Sequence, residues 1–343
     1  MKCAVLSAPG QIEITERTLA DCGPFDVLVA VETCGVCRTD RKAALLGQRD
    51  LVLPRILGHE IVGHIQQVGS AIASFQVGDY VQVYPGNACA TCAACLDGND
   101  HLCDQMQIIG FHLDGGFAEY ILICGQDREP ENLNILPARL DSKTASLAEP
   151  LACSINLLQR LSLDSSTSLV IFGAGPLGIL TAQLAALYQV KRIAMVEPHA
   201  GRRRIAADFS DAQFDFNSQT TADLMQFSQG HGFDIAIPCC PGNEPFEMSL
   251  EVLARRGQLG FFSGLTGRSD ISNSYWNNIH YRELSVVGSY GCSLAHNREA
   301  LKLLSAGQIS LAGLPCRDIS WLELPVVLSN LDPFEHVFTF FHP

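Results

Sequence analysis

The sequence predicts an α/β protein of two domains, one mainly β with irregular loops and one a doubly wound parallel sheet. The first observation is size: 343 residues with 47% hydrophobic and 17% charged side chains are more than one core usually organises. The second is a series of short runs between residues 2 and 85 that alternate or stay apolar between Pro and Gly breaks. The third is a change after residue 168, where apolar runs of strand length alternate with helical stretches, as parallel β/α units require.

In chain order, Lys2 to Leu6, Gln11 to Thr15 and Asp26 to Glu32 are expected strands, with turns at Ala8-Pro9-Gly10 and Cys22-Gly23-Pro24. Ile61 to Val68 and Val77 to Pro85 are two more, the second entered through the Gly78-Asp79 turn. From Ser142 to Leu161 the apolar spacing becomes three and four, so the stretch is helical and the first domain ends near residue 150. Ser168 to Phe172, Arg192 to Val196, Asp234 to Cys239 and Gln258 to Ser263 are then strands. Ile179 to Leu187 and Glu244 to Ala254 are helical, and Glu283 to Gly288 is a last strand before the chain returns to the first domain at residue 289.

A net charge of −13 argues against nucleic acid, whose phosphates need a basic face. No apolar stretch approaches the roughly 20 residues that span a bilayer, and MKCAVLSAPG lacks a signal-peptide core, so a cytoplasmic protein with no membrane partner is expected. Fourteen cysteines in such a chain point to metal sites and buried thiols rather than disulfides.

Two stretches carry metal chemistry. In CGVCRTD and GHE, a thiolate (Cys37), an imidazole (His59) and two carboxylates (Asp40, Glu60) are donors of the kinds that hold zinc, and Glu149 in SLAEPLACS is the candidate for a further, distant ligand. A catalytic zinc keeps one position open, and such a set would leave it. Taken alone, Cys37 reads as a small buried hydrophobe and His59 as a satisfied core histidine. The Cys34/Cys37 pair also has redox-dithiol spacing, although that motif belongs at a helix start after a strand in a thioredoxin-like unit, which is not the context expected here. The second stretch is CATCAACLDGNDHLC, with Cys89, Cys92, Cys95 and Cys103 at spacings of three, three and eight. Four thiolates fill a tetrahedron and make a zinc structural, an iron–sulfur cluster or metal-free thiols being the alternatives.

The run Gly173-Ala174-Gly175-Pro176-Leu177-Gly178 follows a strand and opens a helix, the context in which this glycine pattern fits a dinucleotide. Gly173 allows the tight turn, Gly175 the approach of the pyrophosphate, and Gly178 the packing of helix on strand, with helix N–H groups aimed at the anion. Glu197, nineteen residues after Gly178, is the acid expected on the adenosine ribose, favouring NAD over NADP. Arg202 and Arg203 stand close by and could instead meet a 2′-phosphate.

With these motifs in this order and spacing, the chain resembles the zinc-containing medium-chain alcohol and polyol dehydrogenases over nearly its whole length. The resemblance implies a GroES-like catalytic domain (1–150 and 289–343) around a Rossmann domain (151–288), two zinc ions per chain, NAD, and a homo-oligomer, dimer or tetramer. It makes Cys37 rather than Cys34 the zinc cysteine and Asp40 the acceptor for a zinc-bound histidine. It also aims Arg38 at the pyrophosphate and Thr39 at the substrate hydroxyl, while Arg202, by its place near Glu197, is a candidate cofactor contact. Glu149 stands where the polyol, threonine and glucose branch has a glutamate beside zinc. Two departures stand out. Lys42 replaces a proton-relay histidine, which leaves proton exit to Thr39, and DPFEHVFTFF, with His336, replaces the usual basic tail.

The expected activity is hydride transfer from a secondary, polyol-like alcohol to NAD. Threonine or sugar-phosphate oxidation is the nearest alternative, and a non-catalytic nucleotide-binding regulator the alternative of another class. Substrate choice is expected to lie in loops at Gln48 to Leu53, Phe111 to Gly116 and Trp276 to His280.

Overall fold

The computed structural model describes residues 1–125, 127–265, 273–331 and 336–343. The chain divides into two compact units, Met1–Ala152 with Cys292–Pro343, and Cys153–Gly291.

The first unit is built on a seven-stranded sheet. Its order is Leu133–Ile135, Tyr80–Val83, Glu60–Val68, Val27–Gly35, Phe338–Phe341 and Cys316–Ile319, with Tyr120–Ile123 also paired to Val27–Gly35. Neighbours run antiparallel except Cys316–Ile319 and Phe338–Phe341, which are parallel. The apolar β-branched run of Val27–Gly35 makes it the central strand, buried among Ile61, Ile65, Phe117 and Phe341. A three-stranded sheet, Gln11–Glu16, Lys2–Ala8 and Arg55–Ile56, flanks it, its hairpin closed at Gly10 with φ +79°. The expected strand from Val77 to Pro85 is shorter, Tyr80–Val83. Gly78 turns the chain at φ +93°, and Tyr84 N–H donates to the Asn132 carbonyl just beyond the strand.

The second unit is a six-stranded sheet in which every pair is parallel. Its order is Ala212–Phe214, Arg192–Val196, Ser168–Phe172, Phe233–Pro238, Leu253–Phe261 and Ser285–Gly288. Counted along the chain, that is 3-2-1-4-5-6, and the order reverses between the first and fourth strands, where this topology opens its binding crevice. The helix expected to reach Ala254 stops at Val252, because Leu253 already pairs with Phe233. The expected loop from Trp276 to His280 is instead part of a helix, Asn273–Arg282. Its residues are all partly or fully exposed, so no buried stripe marks it in the sequence. Among the described residues, no helix is long and apolar enough to cross a membrane.

Candidate metal and nucleotide sites

Cys37 is the N-cap of the helix Arg38–Leu46, which follows directly on the strand Val27–Gly35. The pair thus does stand between a strand and a helix start, contrary to expectation. What separates the two thiols is placement. Cys34 is fully buried in the first unit's core, whereas Cys37 Sγ lies in a group with His59 and Glu60 whose donor atoms are all within 4.8 Å of one another.

Asp40 holds this group together. It is fully buried at the third position of the helix, where its Oδ2 accepts from Cys37 N–H at 3.0 Å. Its Oδ1 accepts from Gly58 N–H at 3.2 Å and from His59 Nδ1 at 3.0 Å. One carboxylate thus fixes both strand-to-loop junctions and commits Nδ1, leaving Nε2 as the ring nitrogen for a metal. Glycine at residue 35 makes room for Glu60, since a Cβ there would lie 1.9 Å from Glu60 Oε2.

Burial and neighbouring charge shift every donor of the group. Burial pulls the His59 imidazole toward neutrality, but the Asp40 carboxylate and the Cys37 sulfur together more than offset this and the net shift is well upward. Burial pushes the Cys37 thiol up, and it pushes Glu60 up to about 8, His59 opposing and Glu149 and Asp40 adding to that shift. Cys37, His59 and Glu60 would hold a divalent ion, which would favour their deprotonated forms. Glu149, the second residue of the helix Ala148–Arg160, is not one of the three clustered donors, but is near enough for its charge to act on Glu60. Cys292 stands beside it, its Sγ 4.0 Å from the Glu149 carbonyl, a neighbour that no local motif announces.

The four-cysteine loop closes on itself. Sγ–Sγ distances are 3.9 Å for Cys89–Cys95 and 3.5 Å for both Cys92–Cys95 and Cys89–Cys103. A tetrahedron with metal–sulfur bonds of about 2.3 Å has edges of about 3.8 Å, so the loop is shaped for zinc. N–H groups of Cys92 and Gln105 point at Cys89 and Cys103 sulfurs at 3.3 Å, favouring thiolates. Arg128 braces the loop through the Ala88 and Cys89 carbonyls, and nothing in the sequence spacing announces that contact.

Arg38 donates to the Leu331 carbonyl at 2.9 Å, Thr39 is half-buried with its N–H on Cys37 Sγ, and Lys42 is half-buried on the same helix. His336 Nε2 lies 2.7 Å from Thr39's namesake in the tail, Thr339 Oγ1.

In the second unit, Gly173 adopts φ +103° at the end of the first strand, and Gly175 caps the helix Pro176–Leu187. A Cβ on Gly178 would lie 1.9 Å from the Gly173 carbonyl oxygen, so only glycine permits this helix–strand approach. A Cβ on Gly175 would meet nothing nearer than Arg202 at 3.6 Å, which leaves its backbone open to a ligand. Pro176 and Leu177 start the helix. Glu197 is nearly buried, its carboxylate accepting from Ala174 N–H at 2.8 Å and His199 N–H at 2.9 Å. Arg203 is held by Asp215 at 2.9 Å, which no motif foretold.

Residues 23–128 match the model of the alcohol dehydrogenase GroES-like domain, and residues 176–306 that of the zinc-binding dehydrogenases. A solved structure from Sinorhizobium meliloti, described as a zinc-binding dehydrogenase bound to NADP, superposes with a TM-score of 0.90 at 30% identity. That match covers 100% of this chain and 99% of the other. This chain belongs to the zinc-binding alcohol dehydrogenase family. Curated relatives of this dehydrogenase include D-xylulose reductase A of Aspergillus niger, 28% identical over 90% of this chain and 87% of the relative. L-threonine 3-dehydrogenase of Pyrococcus abyssi is 28% identical over 87% and 85%. The enzyme is thus a zinc-dependent oxidoreductase that moves hydride between an alcohol and a nicotinamide dinucleotide, with the cysteine loop fitting a structural zinc.

Proposed function

We propose that this dehydrogenase reversibly oxidises a secondary hydroxyl of a small polyol-like substrate with NAD. The observation that carries the proposal is the clustering of Cys37, His59 and Glu60 within 4.8 Å, with Glu149 acting electrostatically on Glu60, in a chain whose relatives include polyol and threonine dehydrogenases. Cys37, His59 and either Glu60 or Glu149 would hold the catalytic zinc. That ion, when bound, is a Lewis acid that makes an alcohol hydroxyl easier to deprotonate.

The chain's own residues do the rest. Asp40 keeps the His59 ring in one tautomer and orientation. Thr39 Oγ1, two residues from Cys37, receives the hydroxyl proton and passes it to water or to the cofactor ribose. On the nucleotide side, the helix start at Gly175 to Gly178 takes the pyrophosphate, with Arg202 as a cationic contact. Glu197 places negative charge at the ribose end of the second strand, while Arg203 is drawn toward Asp215 and the Glu197 carbonyl; both features favour NAD. The exposed edge strand Ser285–Gly288 suits assembly into a homo-oligomer, dimer or tetramer, and the cytoplasm is the compartment that keeps these thiols reduced.

One observation favours a second reading of the substrate. Lys42 is half-buried one helical turn beyond Thr39 and has no carboxylate within ion-pair distance among the described residues, a placement suited to an anionic group such as a sugar phosphate. Near-ultraviolet absorbance of NADH, followed with polyols, sugar phosphates and threonine, tests both readings. Turnover of neutral polyols that survives Lys42→Ala supports the first. Turnover confined to phosphorylated substrates and lost in Lys42→Ala supports the second. Reduction of neither cofactor by any secondary alcohol would sink both.

A further inference from the structure

The carboxy-terminal segment touches the Cys37 segment at several points that the dehydrogenase reaction does not account for. Before the tail strand, the Leu331 carbonyl accepts from Arg38, and the Asn330 carbonyl accepts from Arg41 Nε. These two arginines flank Thr39 and Asp40 on the helix that Cys37 caps. Within the strand, Phe341 pairs with Cys34 and Phe340 with Gly35, and Val36 N–H donates to the Thr339 carbonyl at 2.9 Å. Phe340 and Phe341 are buried, and Phe341 meets Phe117 and Trp321 edge-on. After the strand, the His342 ring closes the series. Its Nδ1 lies 3.2 Å from Thr33 Oγ1 and 3.1 Å from the Glu32 carbonyl, and its Nε2 lies 3.0 Å from Asp318 Oδ1. Asp318 is held in turn by Lys143 at 2.6 Å, and Thr33 donates to Ser142 Oγ at 2.8 Å.

We infer that residues 330–331 and 336–342 form a strap that positions Cys37, and that His342 is its latch. The physical basis is that Gly35 has no side chain with which to fix its own backbone, and Val36 is only half-buried. Their placement decides both where Cys37 Sγ points and whether Glu60 keeps the space over Gly35. A strand held at its far end by a two-sided imidazole bridge restrains that backbone from the side opposite Glu60–Val68, to which Val27–Gly35 is also paired. His342 is thus a positioning residue that acts through Gly35 and Val36. The inference rests on the assignment of Cys37 as a ligand of the catalytic zinc.

The test is release of zinc from the holoenzyme to a chelating dye, with kcat and KM measured in parallel, for wild type, Cys37→Ser, His342→Ala, His342→Gln and Thr33→Val. Cys37→Ser fixes which zinc is which by leaving one ion per chain. If it retains two, the ligand assignment has failed rather than the strap. In His342→Ala the Cys37-dependent zinc should leave roughly fivefold faster, a smaller effect than that of direct partners of ligands, and kcat per enzyme should fall with the fraction of that ion lost. Release from the cysteine loop and KM for NAD should stay at wild-type values. His342→Gln retains an N–H for Asp318 and should recover most of the loss. Thr33→Val keeps the side-chain volume and removes the hydroxyl, and should move the same rate in the same direction even if His342→Ala does not fold. Wild-type release of the Cys37-dependent zinc in both His342→Ala and Thr33→Val, or equal acceleration of both zincs, would overturn the inference.

Discussion

Asp40→Asn removes one charge and one acceptor from the residue on which the catalytic constellation depends. The carboxylate accepts from Cys37 N–H on one oxygen, and from Gly58 N–H and His59 Nδ1 on the other. An amide offers one oxygen and one NH₂, so whichever way it turns, a donor faces a donor. If the NH₂ faces Cys37, the cap on the helix is lost. If it faces His59, the ring is driven to the tautomer that puts a proton on Nε2 and denies the metal its lone pair. A hydrogen bond to a charged acceptor contributes about 1.5–3 kcal/mol, and the site is fully buried, so no water takes over. Loss of zinc affinity by roughly 10–100-fold follows, about 1.4–2.8 kcal/mol at 1.4 kcal/mol per tenfold. The assay is competition with a chelator of known affinity, alongside kcat/KM. Zinc content should fall from two ions per chain toward one, the remaining ion being held by the cysteine loop. An Asp40→Asn enzyme that keeps two tightly bound zincs and wild-type kcat/KM would refute this account of Asp40.

Cys95→Ser should act on stability before chemistry, because three sulfurs cannot close the tetrahedron that orders residues 89–103; thermal melts should fall while initial turnover of freshly prepared enzyme persists. Gly178→Ala drives a methyl to within 1.9 Å of the Gly173 carbonyl, so NADH affinity measured by fluorescence should drop by at least tenfold, with overpacking of about 1–3 kcal/mol seen in the melt. Although burial opposes it, Lys143 and His342 hold the Asp318 carboxyl below its usual range. A depressed carboxylate contributes stability above its unfolded pKa of about 3.9 and loses it as pH falls through the lower folded value. Asp318→Asn should therefore melt earlier than wild type at pH 6 and converge with it below about pH 3, by a few tenths of a kcal/mol since the side chain is half-exposed. A constant gap across that range would rule out the ionic contribution.

The sequence by itself determined the parts whose chemistry is local. Four cysteines within fifteen residues can only meet in a loop, and the glycine run between a strand and a helix needs the backbone freedom and close approach that Gly173 and Gly178 display. Alternating runs marked the ordered strands because burial on a sheet imposes a period of two or a short apolar run, whichever face the strand presents. The helix Asn273–Arg282 escaped because exposed residues carry no burial signal, and the end of Glu244–Ala254 was misplaced because pairing of Leu253 with Phe233 outweighs helical continuation. Which acids approach Cys37 was likewise a tertiary matter. Glu60 lies in the cluster because Gly35, twenty-five residues away in sequence, leaves it room, and Glu149 arrives on a separate helix. The partner of Arg203 and the bridge from His342 to Thr33 and Asp318 were decided the same way. Such contacts join residues far apart in the chain, and only the folded backbone sets their distances, so no spacing along the sequence encodes them.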